Sequence, residues 1–157
     1  MRFNGERQVQ AEVEHVWAGL HDREVLRRAI PGCEELVPVA PGRYAATLAA
    51  RVGPVADTYR GDFSIDDGQS GSRLCVRIGG CGRFGRLEVD LDVSLVRHRT
   101  GCTLLRYDAH AEVGGMVARL GNATLTVAGG HLTGCFFRDL DRALRHASRA
   151  GRVAALV

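Results

Sequence analysis

Arg43-Tyr44-Ala45-Ala46-Thr47-Leu48-Ala49-Ala50-Arg51-Val52-Gly53-Pro54-Val55 is followed closely by Tyr59-Arg60-Gly61-Asp62-Phe63-Ser64-Ile65. In the first run Tyr44, Ala46, Leu48, Ala50 and Val52 share one side of an extended chain, and Arg43, Thr47 and Arg51 take the other. In the second, Tyr59, Gly61, Phe63 and Ile65 oppose Arg60, Asp62 and Ser64. A period of two with one apolar side reads as two half-buried strands joined by a Gly-Pro turn. Their inward positions are apolar but often small. Such strands wall a space rather than fill a core, which points to a binding protein before an enzyme.

The alternation continues along the chain. Leu74, Val76 and Ile78 oppose Arg73, Cys75 and Arg77. Leu87, Val89, Leu91, Val93 and Leu95 oppose Glu88, Asp90, Asp92 and Ser94. Leu105, Tyr107, Ala109, Ala111 and Val113 oppose Arg106, Asp108, His110 and Glu112. Successive strands of this kind, separated by Gly-rich turns, predict an antiparallel sheet with one wet face. Ahead of them, Phe3 to Ala11 reads as a strand, and His15–Leu20 and Glu24–Ala29 as two short helices. Ile30-Pro31-Gly32 stops the second helix, because Pro cannot continue it and Gly permits a sharp turn.

From Met116 the period changes. Met116, Leu120, Ala123 and Val127, then Leu132, Phe136, Leu140 and Leu144, recur at helical spacing. They predict one helix of about 30 residues, well above the usual length. The expected fold is α+β: a curved seven-stranded antiparallel sheet wrapped around a long C-terminal helix, with two short helices after strand 1. No linker, repeat or low-complexity segment interrupts it, so residues 1–157 are read as one domain.

Small residues recur on both inner surfaces. The sheet offers Ala46, Ala50, Gly61, Ala109 and Ala111, and the helix offers Gly121, Gly129, Gly130 and Gly134. Each interior helical Gly costs about 1 kcal/mol relative to Ala. We therefore expect an apolar pocket between sheet and helix. The competing reading is that the glycines only let the helix approach the sheet closely. The expected lining is Leu48, Tyr59, Phe63, Leu91, Tyr107, Leu120 and Thr124, with His131 as a polar anchor.

Composition narrows the class. The 157 residues are 45% hydrophobic and 25% charged, with a net charge of +3, as in a soluble globular protein. All 21 basic residues are arginine. The five cysteines Cys33, Cys75, Cys81, Cys102 and Cys135 fit no zinc or redox spacing, so reduced thiols and a cytoplasmic location are expected. The N-terminus lacks an apolar signal core, and no apolar run approaches the roughly 20 residues that span a bilayer.

Gly80-Cys81-Gly82-Arg83-Phe84-Gly85 matches G-x-G-x-x-G, but a strand follows where the dinucleotide fingerprint needs a helix, so a hairpin turn is expected. Catalytic and metal sites are not expected, because Glu88, Asp90, Asp92, Asp108 and Glu112 all sit on the wet face. Arg138, Arg142, Arg145, Arg149 and Arg152 repeat at helical spacing and predict a basic stripe facing a membrane or a partner, with Asp139 and Asp141 elsewhere on the helix. Aromatic residues do not accompany the stripe, so nucleic acid is not an expected partner.

Several stretches in this order resemble the family of the carbon monoxide dehydrogenase G-subunit, within the START-like (SRPBCC, Bet v 1-like) helix-grip superfamily. They are Val16-Trp17 with Leu20 and Asp22, Ile30-Pro31-Gly32-Cys33-Glu34, Val52-Gly53-Pro54-Val55 and Tyr59-Arg60-Gly61. Further on come Gly80-Cys81-Gly82, Leu105-Arg106-Tyr107, Val113-Gly114-Gly115, Ala118-Arg119-Leu120-Gly121 and Phe136-Phe137. The resemblance implies an accessory role beside a molybdenum hydroxylase of the carbon monoxide dehydrogenase type, in its recruitment, maturation or electron transfer at the cytoplasmic membrane. Some members carry a C-terminal tail that reaches the membrane. This sequence runs only to Val157, so the contact expected here is peripheral.

Together these readings predict a non-catalytic carrier. Its expected cargo is an apolar small molecule, a quinone or another isoprenoid lipid, and no other cofactor is expected. The alternatives are a membrane-recruiting adaptor without ligand, and an enzyme of the polyketide cyclase or aromatase type.

Overall fold

The computed structural model describes residues 1–68 and 71–156, with side chains through Arg149. Strand β1 (Arg2–Val9) leads into helices α1 (Val13–Leu20) and α2 (Arg23–Ala29). Six strands follow: β2 (Cys33–Ala40), β3 (Arg43–Val52), β4 (Val55–Asp66), β5 (Arg73–Cys81), β6 (Gly85–Arg99) and β7 (Cys102–Gly115). A short 3-10 helix (Met116–Leu120) precedes the long helix α3 (Asn122–Leu156). The sheet is antiparallel throughout, in the order β1-β7-β6-β5-β4-β3-β2. This is the architecture that the alternation predicts.

Local chemistry explains the helix boundaries. Asp22 caps α2, its Oδ1 accepting from the N–H groups of Glu24 and Val25 at 2.9 and 3.3 Å. Glu24 in the first turn pairs with Arg27 and Arg28 in the last, an arrangement that also suits the helix dipole. Past the helix, Gly32 has φ +68°, and a Cβ there would lie 1.9 Å from the carbonyl oxygen of Ala49. Only glycine fits this turn from α2 into β2.

The long helix begins later than its periodicity predicts. Gly121 has φ +86° and separates the 3-10 helix from α3. The apolar spacing of Met116 and Leu120 therefore belongs to a separate turn packed on β6 and β7, where Val117 donates its N–H to the Phe84 carbonyl at 3.1 Å.

The core sits at one end of the molecule. The C-terminal half of α3 buries Leu140, Ala143 and Leu144 against Val16 and Leu20 of α1, Val25 of α2, and Leu74, Val93 and Leu105 of the sheet. A Cβ on Gly19 would lie 2.2 Å from Leu144, so α1 and α3 meet closely. A second cluster joins Leu26 and Leu36 to Phe63 and Val76. The N-terminal half of α3 is held more lightly. The Phe3 ring packs where a Cβ on Gly129 would stand, at 2.7 Å, and the turn at Gly53 approaches Thr124 and Leu120.

Candidate functional site

Strand register builds the inner face from rows of facing residues. Ala46, Gly61, Gly80 and Leu87 form one row, and Tyr44, Phe63, Ile78 and Val89 the next. Three neighbouring positions of the first row carry nothing larger than a methyl group. Leu48 faces Tyr59 on the hairpin side of that row.

Gly61 has a second reason to be glycine. A Cβ there would lie 1.8 Å from the carbonyl oxygen of Gly79 and 2.6 Å from the Gly80 Cα. The backbones of β4 and β5 approach so closely at this bend that no side chain fits. Gly61 thus serves the curvature of the sheet first and the open space second.

The expected lining residues separate into groups. Leu48, Tyr59, Leu91 and Tyr107 are half-buried on the concave face, and Phe63 is buried in the second core cluster. Leu91 packs against both core clusters. Tyr107 stands beside Phe137 of α3 with ring centroids 5.5 Å apart, and Phe137 meets Phe136 edge-on at 5.2 Å. Leu120 and Thr124 are half-buried where α3 starts, and a Cβ on Gly53 would come within 3.9 and 3.2 Å of them. They stand at one end of the groove, beside the β3–β4 turn.

His131 does not belong to the groove. It is exposed on α3, with Nε2 3.7 Å from the Cys135 thiol. The helical glycines also divide by role. Gly129 admits the Phe3 ring, Gly121 breaks the chain before α3, and Gly130 and Gly134 face open space. The close-approach reading thus holds at Gly129, where the Phe3 ring takes the place of a side chain.

The polar groups on the inner side are few. The hydroxyls of Tyr59 and Tyr107 have no hydrogen-bond partner among the described residues; that of Tyr107 lies over Gly5 of β1. Burial, and then the Asp57 charge, push the Tyr59 phenol above its ordinary range, which keeps it a neutral donor. Asp57 is in phase with Tyr59, a position that sequence reasoning misses although the alternation marks it. Its oxygens accept from the N–H groups of Thr58, Arg83 and Phe84 at 2.8, 3.1 and 2.8 Å. Those bonds, the one from Phe84 foremost, hold its carboxyl below the usual carboxylate range. It fastens the β5–β6 turn and is poorly placed as a general base.

The carboxylates Glu88, Asp90, Asp92 and Glu112 are exposed on the outer face. Two thiols are held up rather than activated: Cys33 by burial, Cys75 by its hydrogen bond to Asp92. Gly80 to Gly85 forms the β5–β6 hairpin, with Gly82 N–H donating to the Gly85 carbonyl at 2.8 Å.

Two hollows open on the surface near the β5–β6 turn and the start of α3. One of about 470 Å³ is lined by Asp57, Thr58, Arg60, Cys81, Arg83 and Phe84, among others. The other, of about 440 Å³, lies by Met1, Arg86, Glu88, His110, Asn122 and Leu125. Neither hollow is lined by the residues expected to form the chamber under α3.

The basic stripe on α3 differs from expectation. Asp139 pairs with Arg138 and Arg142 at 3.4 and 4.0 Å, and Asp141 pairs with Arg145. Spacings of one, three and four residues bring these acids onto the stripe and partly neutralise it. Arg149 is exposed, and the Arg152 side chain lies outside the described residues. No helix among the described residues is long and apolar enough to cross a membrane.

The fold recurs in solved structures. A conserved protein from Geobacillus kaustophilus superposes with TM-score 0.88 at 26% identity, covering 94% of this chain and 97% of that one. A START superfamily protein from Mycobacterium smegmatis gives 0.70 at 13% identity, covering 93% and 98%. An aromatase/cyclase from Streptomyces sp. R1128 gives 0.64 at 16% identity, covering 98% and 97%. No curated protein matches the sequence. The curved sheet around α3 is therefore the START-like helix-grip fold. Residues 5–145 match the family model of the carbon monoxide dehydrogenase G-subunit (CoxG), and the chain belongs to that family.

Proposed function

We propose that this protein is a non-catalytic carrier that holds an apolar small molecule on the concave face beneath α3. One observation carries the reading. The inward row Ala46, Gly61 and Gly80 carries nothing larger than a methyl group on an otherwise apolar wall, beside the half-buried Leu48 and Tyr59. Apolar surface left open to water in this way is costly and gains from a ligand. Tyr59 would orient the ligand's polar end by donating to a carbonyl or hydroxyl oxygen.

Family membership and fold support a ligand-binding accessory protein. In the finer reading the partner is a carbon monoxide dehydrogenase-type molybdenum hydroxylase in the cytoplasm. The cargo is a quinone or another isoprenoid lipid, matching an elongated apolar groove with few polar anchors. The stripe from Arg138 to Arg149 serves as a contact face for that partner.

The test is solvent extraction of the protein purified from its native host, followed by mass spectrometry. A stoichiometric quinone or isoprenoid lipid is the expected result. An empty extract, together with no uptake of an apolar fluorescent probe, overturns the carrier reading.

A further inference from the structure

Strand β4 outruns β5 at one end of the sheet. Their pairing starts at Arg60, opposite Cys81, so residues 55–59 of β4 have no partner in β5. The β5–β6 turn lies beside them, held by the Asp57 carboxylate through the N–H groups of Arg83 and Phe84. A Cβ on Gly82 would lie 2.4 Å from Asp57 Oδ2, so the turn sits directly on the carboxylate. The hollow of about 470 Å³ opens at this junction, lined by the outward residues Ala56, Thr58, Arg60 and Cys81 together with Asp57 and the turn. It is large enough for a small molecule.

Hydrogen-bond donors dominate the lining. Arg60 and Arg83 are exposed, and neither forms an ion pair among the described residues. Elsewhere Arg2, Arg77, Arg97, Arg106, Arg138 and Arg145 are each tied to a carboxylate. The Arg83 guanidinium stands over the Phe84 ring at 5.5 Å, which keeps it at the rim of the hollow. The Thr58 hydroxyl and the Cys81 thiol also have no hydrogen-bond partner among the described residues. Asp57, the carboxylate in the wall, already accepts three backbone N–H groups. It is committed to the turn and pairs with neither arginine.

We propose that this hollow binds a small soluble oxyanion, a compound carrying phosphate or carboxylate groups. A guanidinium fork matches the paired oxygens of either group, and charge-assisted hydrogen bonds of this kind are the strong ones. Arg60 comes from a strand and Arg83 from a turn, so one multiply charged ligand can bridge both elements. An apolar or cationic ligand would leave both guanidinium groups unpaired. The site lies on the other side of the sheet from the groove, because Thr58 and Arg60 flank Tyr59 on β4 and successive side chains of a strand face opposite ways. An anion clamped between β4 and the turn steadies the backbone that presents Tyr59, which ties the two faces together. This last point rests on the carrier reading; the anion site itself does not.

The test is isothermal titration calorimetry of the full chain at low salt with inorganic pyrophosphate and with citrate. The wild type is expected to show one saturable site for at least one of them. R60Q/R83Q is expected to bind that probe at least about tenfold more weakly, and R138Q/R142Q/R145Q about as well as wild type. A second measurement needs no replacement. At saturation, Cys81 of the wild type is expected to lose most of its alkylation by iodoacetamide, read by peptide mass spectrometry. Cys75, exposed beside Asp92, is expected to react as before. A wild type that binds neither probe overturns the proposal. Binding that R60Q/R83Q retains and the α3 variant loses, or alkylation of Cys81 that the bound probe leaves unchanged, also overturns it. The anion is titrated without cargo, so a protein that binds it but carries no apolar ligand defeats only the carrier reading.

Discussion

Phe84 donates its backbone N–H to the Asp57 carboxylate at 2.8 Å, which ties the β5–β6 turn to the start of β4. Arg83 adds a second bond at 3.1 Å to the other oxygen. One side chain thus holds two neighbouring hairpins in register at the hollow end of the sheet.

Replacing Asp57 by Ala is expected to speed amide exchange at Arg83 and Phe84 and to lower Tm. The pH dependence follows from the depressed pKa of the folded state. The stabilisation is complete above the unfolded carboxyl value, about 4. It fades as pH falls through the lower folded value. Glu24 acts in the same direction in α2, held down to about 2 chiefly by its hydrogen bond from Arg27. The Tm difference between wild type and Asp57→Ala is therefore expected to shrink in acid. A difference independent of pH contradicts the role given to the carboxylate.

Gly129→Ala and Gly130→Ala are expected to move stability in opposite directions. Ala gains about 1 kcal/mol over Gly in a helix interior. Gly130 faces open space and collects that gain, whereas a Cβ on Gly129 would lie 2.7 Å from the Phe3 ring. Displacing the ring costs about 1–3 kcal/mol as overpacking. Thermal melts of the two variants decide the matter, and a stabilised Gly129→Ala protein would show that Phe3 moves freely.

Tyr59→Phe is expected to leave Tm nearly unchanged, since its hydroxyl lacks a partner among the described residues. Affinity for a carbonyl-bearing apolar ligand is expected to fall about threefold to tenfold, the value of one lost hydrogen bond. A titration with a short-chain quinone reads this directly. Unchanged affinity removes Tyr59 as an anchor.

Leu120→Trp is expected to obstruct the groove where Gly53 meets α3 and to abolish uptake of an apolar probe while the fold persists. Recruitment of a partner enzyme is expected to continue if it depends on outer surfaces. If uptake persists, the ligand does not pass Leu120.

The strands were legible because alternation survives in any half-buried sheet, and every inward set from Tyr44 to Val113 keeps its phase. The short helices were legible from Asp22 and from Ile30-Pro31-Gly32. What sequence reasoning missed depends on tertiary approach. Gly121 looked like one more helical glycine, although its positive φ ends a separate turn. Gly61 looked like a void-former, although the Gly79 carbonyl excludes any side chain there. His131 shares helical spacing with inward residues but sits on an arc that the sheet does not reach. Asp139 and Asp141 join the arginine stripe through side-chain reach that a wheel of Cα positions does not show. Asp57 was readable from its phase with Tyr59, but its hydrogen bonds to a turn 26 and 27 residues later were not.

The unequal anchoring of α3 has a dynamic consequence. Its C-terminal half shares a buried cluster with both short helices and the sheet, whereas its first turns rest on the single buried side chain of Leu125, on Phe3 and on the tip at Gly53. Each non-bonded atom pair contributes only about 0.1–0.2 kcal/mol, so releasing the first turns costs little beside unfolding the cluster. The helix is therefore expected to act as a cantilever, clamped at Leu140 and Leu144 and more easily flexed near Asn122. Its amide protons are expected to exchange fastest near the hairpin tips and slowest at the clamp, as hydrogen exchange would read directly.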